Sequence, residues 1–174
     1  MSSIREKITD LMIDSKVKPV ISRLNLRLEF PLKANVIRKV LVILPRNMEK
    51  IDAANRFVTA LRKRFPHWRV ELFDIDKLND VDLNRMRLPK DEILNKLKKA
   101  GYQFVIDMDA SADFLSSLIT LMTEAKYRLS ICEKYPRYYN LTFQPHQNGQ
   151  PIQYKSLLDY LNRLFVKNAA GSRS

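Results

Sequence analysis

The chain is 174 residues long and 45% apolar, enough for one compact domain of ordinary size and too little for two full-sized ones. Its 31 Lys and Arg against 19 Asp and Glu give a formal charge of +12, which points to anionic company and says nothing about fold. A single cysteine, Cys132, excludes an internal disulfide, and with only His67 and His146 elsewhere no zinc motif can be assembled. The chain therefore reads as a reducing-compartment protein without a metal or cofactor. No stretch approaches the roughly 20 apolar residues of a membrane span, and the N-terminus MSSIREKITDLMIDSK lacks a signal-type apolar core. The expected location is the cytoplasm, with peripheral contact at the inner face of the membrane left open.

Along the chain, Ile4, Ile8, Leu11 and Met12 repeat at helical spacing, and Ser3 with Glu6 has the form of a capping box. Pro19 is expected to break or restart this helix, because proline lacks the amide proton a helix interior uses. Leu26, Leu28 and Phe30 alternate with polar residues, as in an exposed or edge strand or an extended connector, ended by Pro31. Val40 to Leu44 is an unbroken apolar run of the kind covered on both faces by helices. Ala53 to Phe65 reads as a helix stopped by Pro66, and Trp68 to Phe73 as a second strand followed by Asp74-Ile75-Asp76.

The polar, proline-punctuated stretch 77–90 reads as a loop. Asp91 to Ala100 is helical by period, with Gly101 at the position of a C-cap glycine. Phe104 to Met108 is a third strand, Asp113 to Thr123 a helix, Arg128 to Cys132 a fourth strand and Tyr138 to Phe143 a fifth. A last helix spans Gln153 to Val166. Strands alternating with helices lead to a Rossmann-like α/β fold, a mostly parallel sheet with helices on both faces plus an N-terminal helical extension. The expected division is an extension over 1–35, the sheet domain over 36–168 and a frayed tail over 169–174. The extension is expected to pack on the domain's edge or to dock on a protein partner.

Ligands of open parallel sheets bind beyond the carboxyl ends of the strands. Those ends carry Pro45 to Lys50, Asp74 to Asp76 and Asp107 to Ser111. The first loop has no glycine, which argues against a phosphate-cradling loop. Arg46, Asn47 and Lys50 form a candidate anion site at a helix start, against the alternative of an exposed polar loop. Asp107 and Asp109, with Ser111 in the same loop, form a candidate acid/base or cation pair. The plainer reading has Asp107 capping the next helix or bonding neighbouring loop amides while Asp109 is solvated.

Arg62, Lys63 and Arg64, with Arg69 nearby, are candidate contacts for an anionic partner, against a solvated helix end. Tyr135, Arg137 and Tyr138 make the densest aromatic and basic cluster. It is a candidate partner surface, against simple packing over the sheet edge. Neither histidine is given a catalytic part.

Two stretches carry a family resemblance. VLVILPRNMEKIDAANRFVTALRKRFPHWRVELF resembles the opening strand, helix and second strand of heptosyltransferase-type glycosyltransferases, the lipopolysaccharide core enzymes that use ADP-heptose. The run Ala60 to Pro66 matches the ending of that first helix. GYQFVIDMDASADFLSSLITLMTEAKYRLSI is similar to the later strand and helix of the same domain. The family has Gly-Asp at the first helix, its carboxylate acting as base on the acceptor hydroxyl, where this chain has Glu49 and Lys50. A lysine ammonium cannot take that proton. The resemblance covers residues 38–132, so the expectation is a free-standing half of a two-domain glycosyltransferase, without the base and the donor domain.

The functional expectation is a non-catalytic binding or assembly protein whose basic surface and N-terminal extension join a larger complex. The alternatives are a glycosyltransferase subunit of cell-envelope synthesis that borrows its donor domain from a partner, and an RNA- or ribosome-associated protein. The charge excess falls in residues 1–100 and 151–174, while 101–150 is nearly balanced. The anionic contact is thus expected on the side formed by the N-terminal extension and first helices.

Overall fold

A computed structural model describes residues 4–24, 28–111, 114–144 and 154–166. In chain order the elements are α1 (Ile4–Leu24), β1 (Leu32–Lys33), β2 (Lys39–Ile43), α2 (Met48–Arg64), β3 (Arg69–Phe73), α3 (Asp91–Lys99), β4 (Phe104–Asp107), α4 (Phe114–Met122), β5 (Tyr127–Ser130), β6 (Leu141–Thr142), α5 (Tyr154–Leu164) and β7 (Phe165–Val166). Five of the strands form one parallel sheet in the order β3-β2-β4-β5-β6. This is the expected Rossmann-like α/β architecture.

Alternation along β2 explains the layering. Val40 and Val42 face Phe57, Val58 and Leu61 of α2 and Leu157 and Leu161 of α5. Leu41 and Ile43 face the opposite side, against Leu97 of α3 and Ile119 of α4. With both faces covered, β2 and β4 must be apolar at successive positions, and Val40 to Ile43 and Phe104 to Ile106 are each at most 1% exposed.

Local signals set several boundaries. Asn47 accepts the Glu49 amide at 2.9 Å and starts α2 at Met48, a turn and more before the expected Ala53, because the cap and not the first apolar residue decides where a helix begins. At the end of α3, Gly101 takes φ +70, the left-handed turn that a C-terminal glycine accommodates. The 77–90 segment is a loop, with a short 3-10 turn at Ile75–Lys77 leading into it and one bridge between Leu83 and Pro89.

Four expectations are corrected. Helix α1 runs through Pro19, since Val17 and Val20 on either side of it are buried against Leu118 and Leu121 of α4 and hold the chain helical. Of the two readings of the stretch before Pro31 the edge strand is set aside, since residues 28–31 form a connector with Phe30 exposed, and the strand follows Pro31 as β1, which pairs in parallel with β7. The fifth strand shortens to Leu141–Thr142, because residues 136–138 form a turn closed by the Tyr138 amide on the Tyr135 carbonyl at 2.9 Å. Helix α5 ends at Leu164, where Phe165 turns into a ring cluster with Phe65, Trp68, Phe104 and Tyr127. The capping residue Ser3, residues 25–27, His146 and the 169–174 tail lie outside the described residues.

α4 gives α1 its place. The sequence FLSSLITLM is apolar nearly all round, and such a helix must be covered on two sides. Ile119 meets the sheet side, and α1 closes the other with Val17 and Val20. Residues 13–24 of α1 thus pack within the chain, on the domain's edge, while the side chains of Ile4, Ile8, Leu11 and Met12 lie outside the described residues. Leu121, fully buried between α4 and α1, should lose about 2–5 kcal/mol on Leu121→Ala, measured by urea denaturation.

Candidate functional site

The chain leaves β2 for β3 on one side and returns to β4 on the other, so the carboxyl ends of β2 and β4 flank the switch point where this architecture places ligands. The structure brings Arg46, Asn47 and Lys50 to one wall and Asp107, Asp109 and Ser111 to the other. The first wall is tied down in part. Arg46 donates through Nε to Asp76 beyond β3 at 2.8 Å, and the Asn47 side chain is spent as the helix cap. Lys50 and Glu49 stand on the first turn of α2.

The second wall holds a buried polar network. Asp107, at the end of β4, is 0% exposed, and its Oδ1 accepts the Asp109 amide at 2.9 Å. Its Oδ2 receives the Tyr139 hydroxyl and lies 3.2 Å from the Lys134 ammonium. Lys134 reaches in from the loop after β5 and also donates to the Asp109 and Ser111 carbonyls and, at 2.8 Å, to Ser116 of α4. Tyr139 lies 2.8 Å from Ser117. Asp109 is buried at 3% exposure and accepts the amide and hydroxyl of Ser111, so the solvated Asp109 expected from sequence is corrected: the loop folds back onto its carboxylate.

Charges held this far from water need saturation by hydrogen bonds, and both ions have it. Burial pushes the Asp107 carboxyl above its ordinary value, against the pull of Lys134, the Tyr139 hydroxyl and the Asp109 amide. Burial and the neighbouring Asp107 charge push the Tyr139 hydroxyl up as well, so it stays a neutral donor. The Cys132 thiol is also pushed up by burial, which makes it a poor nucleophile at neutral pH. Among the described residues no group of His, Cys, Asp and Glu is disposed to hold a metal ion.

The other candidates sit elsewhere. Arg62, Lys63 and Arg64 are all exposed; Arg62 also donates to the Val70 carbonyl at 2.8 Å and Arg64 to Asn162 of α5. Tyr135 and Tyr138 stack at 5.8 Å and both meet Phe114 edge-on, so these rings pack on the start of α4; Arg137 is exposed beside them.

Sequence reasoning missed Lys134 and Tyr139 as network members. Their partner Asp107 is about 30 residues earlier, and nothing local marks the pairing. A signal did exist in α4, where the adjacent Ser116 and Ser117 interrupt an apolar helix and therefore require partners. Comparison of the chain with protein-family models, with curated proteins and with solved structures returned no match.

Removing one member of the buried pair leaves the other unpaired. Lys134→Met should cost about 3–5 kcal/mol in chemical denaturation, and adding Asp107→Asn should recover part of that loss. Because folding raises the Asp107 value, the native state holds the extra proton between the unfolded and folded values. Stability from this group accordingly falls as pH rises through that interval. Asp107→Asn should remove this decline from the pH profile of unfolding.

Proposed function

We propose that the chain is a non-catalytic binding or assembly protein built on a glycosyltransferase-like α/β domain. One observation carries the reading: the wall of the switch-point crevice that would offer a carboxylate is filled by the protein's own ions. Asp107 and Asp109 are buried with their oxygens engaged, and Lys134 occupies the space beside them. A general base has to reach the proton it removes, within about 3 Å or through one water. Neither carboxylate is presented in that way.

The resemblance to heptosyltransferase-type enzymes is consistent with this reading. Glu49 and Lys50 stand on α2 where that family has Gly-Asp, and a glycosyltransferase subunit would have to recruit Asp107 or Asp109 out of the network. The purified protein should transfer no sugar from ADP-heptose or another nucleotide sugar to an acceptor, and a native pull-down should recover a protein complex. Sugar transfer by the chain alone, abolished by Asp107→Asn in a folded variant, would overturn the reading.

A further inference from the structure

The two ends of the sheet differ in charge. Helices of this fold run against the strands, so helix C-terminal turns and strand starts share one edge. Backbone bonds from Arg69 to Arg38, Gln103 to Lys39 and Tyr127 to Gln103 set the starts of β3, β2, β4 and β5 side by side, at strand spacing of about 4.8 Å. The Arg64 to Asn162 bond joins the last turns of α2 and α5, and Arg23 to Glu124 brings the end of α1 to the same edge.

Arg38, Lys63, Arg64, Arg69, Lys99 and Lys126 all stand exposed there. Two of the acids of this edge are already taken: Glu71 pairs with Lys39 and Arg69, and Glu124 with Arg23 and Lys98; Glu29, beside Phe30, offsets one further cation. Helix C-terminal carbonyls offset only about half a charge per helix, so a positive pole remains. The carboxyl edge, with Glu49, Asp74, Asp76, Asp107 and Asp109 against Arg46, Lys50, Lys77 and Lys134, has no such excess.

Two apolar side chains are exposed at the same pole. The Ala34 carbonyl accepts from His67 and from Trp68, both at 3.0 Å, which seats the 34–36 turn against this edge and leaves Val36 at 51% exposure. Phe30, two residues before β1, is 59% exposed. The aromatic rings under this edge, Trp68, Tyr102 and Tyr127, are buried and offer no stacking platform for bases.

We propose that this amino edge rests on an anionic lipid bilayer, with Phe30 and Val36 entering the headgroup layer and the surrounding cations facing lipid phosphates. Exposed apolar groups ringed by Lys and Arg fit an interface that is apolar below and anionic above. The inference goes beyond the binding-protein reading and is independent of it: sugar transfer would sink that reading and leave this one, whereas failure to bind lipid sinks this one alone.

The test is co-sedimentation of the full chain with vesicles of phosphatidylcholine alone or mixed with phosphatidylglycerol, beside retention on homopolymer RNA at the same ionic strength. Binding to the mixed vesicles and not to the neutral ones is expected. Phe30→Ser with Val36→Ser should weaken vesicle binding by about tenfold or more and leave RNA retention unchanged. Arg38→Glu with Lys63→Glu should abolish vesicle binding, while Lys50→Glu at the other edge should not. All substituted residues lie at the surface, and circular dichroism checks the fold. No binding to mixed vesicles, or binding indifferent to Phe30 and Val36 with RNA held more tightly, overturns the proposal.

Discussion

A lysine ammonium 3% exposed beside a carboxylate 0% exposed is stable only while each ion keeps its hydrogen bonds. That requirement fixes much of the carboxyl edge. Lys134 draws the loop after β5 over the end of β4, fastens the Asp109 and Ser111 carbonyls, and links both to Ser116 of α4. Tyr139 ties the same loop to Asp107 and Ser117. The end of β4, the start of α4 and the loop after β5 are thereby locked together at the point where a sheet of this topology would otherwise open toward a ligand.

The second constraint is the apolar character of α4, which needs cover on its outer side and receives it from α1. α1 lies on one layer and the β1–β7 pair beneath the other, and Phe30, two residues before β1, is exposed. The molecule is consequently polar along the strand direction. One end is sealed by a buried ion pair, and the other carries an excess of Lys and Arg over acids, with exposed apolar neighbours. A binding function is more consistent with the second end than with the first, although the fold rule alone directs attention to the first.

The sequence was most legible where a signal is local and periodic. Unbroken apolar runs marked β2 and β4, and Gly101 marked the end of α3, because burial on two faces and a left-handed turn leave direct traces in residue choice. Asn47 was visible too, as part of a candidate anion site weighed against an exposed polar loop, and its geometry makes it an exposed helix cap. The β1–β7 pairing joins residues more than 130 apart, and the Lys134–Asp107 pair joins two loops, so neither leaves a periodic mark. Asp109 differs from the solvated group expected because Ser111, two residues on, turns back to bond its carboxylate, while Lys134, 25 residues later, holds its backbone carbonyl. The charge excess was legible in amount, while its concentration at one edge required the strand order and helix direction.

The claim that the carboxyl edge is closed from within turns on the burial of Lys134. Brief acylation of the native protein, followed by mass spectrometry of its peptides, reads the accessibility of each lysine amine. Lys134 should remain unmodified while Lys63 and Lys99 react fully, and should react only after denaturation. Labelling of Lys134 in the folded chain at the rate of those exposed lysines would contradict the account.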